Sequence, residues 1–166
     1  MIERIGALAA AAAALLAAGC GSGASHALYS TTIPWGEGIT EPAGQVWAAS
    51  GVALCTKGHA PVTLTSITPV SVRGEIHFDG SRAKRGVQGE LAFQPGTPFG
   101  SRPVNGFVIP SPSPCRWPRP TSPLYEAIVL AHATGSHGGS IVGLRVRYRV
   151  GRTPGAYTIP FTYRLR

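Results

Sequence analysis

The chain has 166 residues, with 15 lysines and arginines against 7 acidic residues and a formal charge of +8. That length suits one domain able to bury a sizeable core. Charged residues make up 13 % against about 25 % in an average globular domain. With 22 glycines and 15 prolines, this composition disfavours helices and favours short strands joined by turns.

Residues 1–19 read as a secretory signal peptide. Arg4 precedes an apolar stretch from Ile5 to Ala18, too short to span a bilayer comfortably, and a small residue, Gly19, follows it. Leu16-Ala17-Ala18-Gly19-Cys20 resembles the lipobox of bacterial lipoprotein precursors. The resemblance implies cleavage before Cys20, a diacylglyceryl group on its thiol, and an extracytoplasmic domain held at the cell membrane by lipid. A domain sent there does not meet nucleic acid, despite its positive charge.

If Cys20 carries lipid, as the resemblance implies, Cys55 and Cys115 remain, and an oxidising compartment makes them the expected disulfide; without lipid, the reading is plain secretion with Cys20 free or paired. The alternative is a metal site built from Cys55, His59 and Cys115, but no second clustered ligand pair accompanies it. Residues 20–44 read as the lipidated terminus and a flexible spacer, broken by Pro34-Trp35-Gly36 and Glu41-Pro42.

Residues 45–166 carry regularly spaced strand candidates: Val46 to Leu54, Val62 to Thr68, Val70 to Phe78, Val87 to Phe93, Val104 to Ile109, Tyr125 to Ala133, Ile141 to Val150 and Tyr157 to Leu165. Seven or eight such strands predict an all-β, immunoglobulin-like antiparallel sandwich. In the last two, strict alternation sets Val150 opposite Tyr157, Val146 opposite Phe161 and Val142 opposite Leu165, because a one-residue slip would bury arginines. A hairpin through Thr134 to Gly139 sets Val129 against Leu144 and Glu126 against Arg147. Tyr125 to Ala133 is apolar on both faces and reads as an internal strand. Pro160 lacks an N–H and marks an edge or a bulge.

Two stretches suggest binding. Arg145, Arg147, Arg149, Arg164 and Arg166 fall on the outward positions of the last two strands. They could form a cationic stripe for anionic headgroups or envelope polymers, or simply solubilise the sheet. The loop from Pro110 to Pro123, stiffened by six prolines, displays Arg116, Trp117 and Arg119. An exposed Trp there could stack on a partner or pack down and order the loop.

His59, His77, His132 and His137 read as solvent-facing rather than as a metal centre, and no methionine follows Met1 to serve a copper site that relies on one. Gly-x-Ser-x-Gly and His-Glu-x-x-His motifs do not occur, and the carboxylates form no deliberate pair. The expectation is a lipid-anchored, non-enzymatic envelope binding or interaction module without metal or cofactor. A small-ligand carrier and, less favoured, a hydrolase of envelope polymers are the alternatives.

Overall fold

The computed structural model describes residues 26–31, 36–87, 93–115 and 123–166. They form strands β1 (Leu28–Tyr29), β2 (Gly36–Ile39), β3 (Trp47–Thr56), β4 (Val62–Gly74), β5 (Ile76–Val87), β6 (Phe93–Pro95), β7 (Arg102–Pro103), β8 (Val108–Ile109), β9 (Pro123–Ala133), β10 (Gly139–Val150) and β11 (Thr153–Leu165). One sheet runs β1-β3-β9-β5-β7, with β6 also on β3; the other runs β2-β11-β10-β4-β8. The seven strands β1, β3, β4, β5, β9, β10 and β11 thus follow the constant-type immunoglobulin plan, ABED on one sheet and CFG on the other. β2 adds a parallel strand to β11.

The predicted fold class is therefore observed, and its pairing explains where the chain departs from the expected detail. β9 and β10 are consecutive but lie in different sheets. Val129 pairs with Ala49 and Ser81 rather than Leu144, and Glu126 with Ala53 and Lys84 rather than Arg147. Residues 134–138 are thus a crossover from sheet to sheet, not a hairpin. β9 is internal, between β3 and β5, as its two apolar faces require.

The β10–β11 hairpin turns at Gly151-Arg152, tighter than expected. Val150 pairs with Thr153 and Val146 with Tyr157. The register therefore lies four residues from the predicted one near the turn. An even shift keeps every side chain on its face, so the arginines stay outside. Beyond Leu144, two residues, Pro160 and Phe161, oppose the single Gly143. Pro160 sits in that bulge, where no ladder N–H is needed. The bulge also changes which residues face inward, burying Ile141 while Val142 is half-buried.

Two predicted strands, Val62 to Thr68 and the start of Val70 to Phe78, are one continuous β4. Pro69 stands inside it opposite Leu144. β8 pairs only with Val62 and Thr63, so among the described residues no strand on β4's other side asks Pro69 for a hydrogen bond. The candidate Val87 to Phe93 lies mostly outside the described residues. Of Val104 to Ile109 only Val108 and Ile109 form a strand; Gly106 and Phe107 still bond the Leu64 backbone, while Phe107 N–H donates to Val104 O in a turn. β1 and β2 fall inside the stretch read as a spacer, which corrects that boundary: these residues are paired to β3 and β11.

The core lies between the sheets. β9 offers it small side chains, Ala127, Val129 and Ala131, and the opposite sheet fills the space with Leu144, Tyr148, Ile159 and Tyr163, all buried. Small against large is how facing layers interdigitate at interior packing density. Each fully buried large aliphatic or aromatic side chain contributes about 1.5–3 kcal/mol. Tyr163 stacks on Phe93 at 5.7 Å between ring centroids. Tyr148 covers Gly155, its cross-strand partner, so closely that a Cβ there would lie 2.6 Å from its ring. Burial pushes the Tyr148 phenol above its ordinary pKa, and hydrogen bonds with the backbone of Leu28 and Ala27 oppose that. β1 is thereby tied to the core.

Candidate functional site

The end of β3 is stitched to the segment that precedes β9. Cys55 and Cys115 form the expected disulfide, with Cα atoms 5.4 Å apart, inside the range such a bridge requires. The alternative metal site using His59 is thereby excluded, since both thiols are consumed. Buried Thr56 donates through Oγ1 to Pro110 O at 2.8 Å and accepts from Ser113 N–H at 2.9 Å. Its own backbone N–H donates to Ser113 O at 2.9 Å. Arg116, Trp117 and Arg119 lie outside the described residues, as does Cys20.

The arginine row is carried by β10, the central strand of its sheet. Arg145, Arg147 and Arg149 are exposed and alternate with buried Leu144, Val146 and Tyr148. On β4 their neighbours are Thr68, Ser66 and Thr63; on β11 they are Thr158, Ala156 and Pro154. Alternate residues on a strand stand about 6.6–7 Å apart. That is within a Debye length at physiological salt, so neighbouring guanidinium groups repel by up to about 0.6 kcal/mol even in water. Among the described residues no carboxylate lies within ion-pair distance of these three. Arg164 is exposed too but pairs with Ser140 and Gly38, beyond the Gly143 bulge, and exposed Arg166 follows β11. The five predicted arginines thus split into a row of three and a separate pair.

A second basic feature was missed by the sequence reading. Arg85, Arg102, Asn105, Phe107 and Tyr125 line an open cleft of about 590 Å³. Phe107 meets Tyr125 edge-on at 6.2 Å, and Arg85 is the cross-strand partner of Tyr125. Arg82 props the adjoining loop, donating from Nε to Ser101 Oγ at 2.9 Å and from Nη2 to Ser101 O at 3.1 Å. These residues come from three separated stretches and no local motif announces them.

The histidines divide. His59 is exposed. His137 meets Glu75: its backbone N–H donates to Oε2 at 2.9 Å and its Nδ1 lies 3.3 Å away. The backbone donor, above all, holds the Glu75 carboxyl below the usual glutamate range; desolvation opposes this, and the imidazole adds to it. A depressed carboxyl pKa contributes stability above its unfolded value, and that contribution is lost as pH falls through the folded value. In a carbon-detected NMR titration, Glu75 is expected to titrate below ordinary glutamates. His137→Ala should leave most of that depression, because the backbone N–H remains.

His77 and His132 were expected to face solvent. His77 does, with 63 % of its side chain exposed, but His132 keeps only 26 % and both converge on Asp79. Ile76 is buried and Phe78 half-buried. No protein-family model, curated protein or solved structure matches this chain.

Proposed function

We propose that the chain is an extracytoplasmic, lipid-anchored, non-enzymatic binding module whose arginine row engages a polyanionic partner at the cell envelope. The observation that carries this reading is the row itself: Arg145, Arg147 and Arg149 stand exposed on the central strand of a sheet, with no acidic partner among the described residues. Flanking hydroxyls of Thr63, Ser66, Thr68 and Thr158 offer hydrogen bonds to the same oxyanions. Two further features support the compartment. The lipobox-like segment ending in Cys20 is one, and the other is a disulfide, which is rare where thiols are kept reduced. Phosphate or carboxylate groups on a headgroup or polymer are the chemistry a guanidinium row recognises.

The test is binding of the detergent-solubilised full chain to inorganic polyphosphate across a range of salt. Each arginine is worth up to about 1 kcal/mol near an anionic surface. The Arg145→Gln/Arg147→Gln/Arg149→Gln variant should therefore bind roughly 30- to 100-fold more weakly at low salt, with a shallower salt dependence. Unchanged binding would sink the reading. A carrier for a small anionic ligand is the second reading, favoured by the cleft at Arg85 and Arg102. Loss with Arg85→Gln/Arg102→Gln alone would select it instead.

A further inference from the structure

We propose that His77, Asp79 and His132 bind a divalent transition-metal ion of the zinc class, through one nitrogen of each imidazole and a carboxylate oxygen. The inference is independent of the arginine row and rests on three features of the fold.

The first is register. His77 on β5 and His132 on β9 are direct cross-strand partners, and their ring centroids are 5.1 Å apart. Side chains opposite each other on an antiparallel ladder share one face and one neighbourhood. Neither histidine needs a mobile loop to reach the other, so the pair is held by two strands of the sheet.

The second is the bulge. β5 pairs regularly with β9 as far as Phe78 opposite Ala131, then resumes with Gly80 opposite Leu130, leaving Asp79 as the extra residue. In an unbroken strand Asp79 would stand about 6.6–7 Å along from His77. A bulge bends the strand and re-aims the side chain. Here Asp79 Oδ1 lies 3.1 Å from His77 Nδ1, and its two oxygens lie 2.9 and 2.8 Å from His132 Nδ1. The carboxylate is 22 % exposed and sits between two imidazoles.

The third is the donor set. The candidate ligand atoms of the three residues all lie within 4.8 Å of one another. A tetrahedral ion at about 2.0–2.2 Å from its ligands sets them about 3.3–3.6 Å apart. The nitrogen-to-oxygen separations, 2.8–3.1 Å, lie a few tenths of an ångström inside that value, and the two nitrogens close on an ion by movement of His77, whose side chain is 63 % exposed. Two imidazole nitrogens and one carboxylate suit zinc and its divalent neighbours; calcium and magnesium prefer all-oxygen shells. Three protein ligands leave a position for water or for a donor atom from a partner.

A carboxylate only accepts hydrogen bonds, so an imidazole Nδ1 bonded to one carries the proton in the metal-free protein. Coordination through Nδ1 moves each tautomeric proton to Nε2 and replaces two N–H···O contacts by one ion. No other group need leave.

The test is a zinc titration of the intact chain, first stripped with a chelator, in competition with a chromophoric chelator. One ion per chain is expected. Asp79→Asn, which keeps side-chain size, and His132→Gln should each weaken binding roughly tenfold or more, and His137→Gln should not. A second readout does not depend on the variants folding. In the wild-type protein, zinc should move the imidazole resonances of His77 and His132 and leave those of His26, His59 and His137 in place. Absence of stoichiometric binding, wild-type affinity in both variants, or resonance changes confined to the other histidines would overturn the assignment.

Discussion

Cys55→Ser or Cys115→Ser is expected to lower the melting temperature by about 10–15 °C, the largest loss foreseen for any surface-neutral change. The bridge spans a sequence separation of 60 residues. In the chain-entropy picture a loop of that length restrains the unfolded chain by roughly 4 kcal/mol. For a domain of this size each kcal/mol moves the melting point by about 2–4 °C. Cys55 is fully buried beside Ala53 and Leu124, so a serine hydroxyl there adds a desolvation cost that Cys115→Ser does not. Scanning calorimetry of the two single variants and the double separates these contributions. If all three melt within a few degrees of the parent, the bridge is dispensable and Thr56 alone holds the segment.

Gly138→Ala is expected to cost about 3 kcal/mol or more. Gly138 has φ +63°, a Cβ there would overlap Leu165 O, and Arg166 Cα would lie 2.8 Å from it. The backbone cannot slide away, because Glu75 N–H donates to Gly138 O at 2.8 Å. Gly151 supplies the control: its φ is +59°, yet nothing lies within 4 Å of a Cβ there. Gly151→Ala therefore carries only the left-handed penalty of about 1–2 kcal/mol. Urea denaturation of both variants measures the difference. Equal losses would mean that the crossover relaxes around the added methyl.

Face assignment was legible because period-2 alternation survives any even error in register. That is why Arg145, Arg147 and Arg149 were placed outward although their partners were not the expected ones. Loop length was not legible. Thr153 to Ala156 contains Pro154 and Gly155 and reads as a turn, yet the Tyr148 ring lies over Gly155 and gives that glycine a strand's packing. The step from β9 to β10 was also hidden, since a Gly-rich connection looks the same whether it closes a hairpin or crosses between sheets. The His77–Asp79–His132 cluster depends on strands that are far apart in the chain and on a bulge, neither of which leaves a local pattern. The disulfide could be anticipated from cysteine count once Cys20 was set aside for lipid.

The pairing of β1 has a geometric corollary. Leu28 and Tyr29 lie against Thr56 and Cys55, just before the connection to Val62, which is itself level with Val150. The polypeptide thus joins the sandwich at the pole where Arg149 stands. From Cys20 to Leu28 the backbone reaches at most about 26–29 Å when fully stretched. If Cys20 carries the proposed acyl group, that stretch would keep the pole bearing Arg149 within the same distance of the lipid surface.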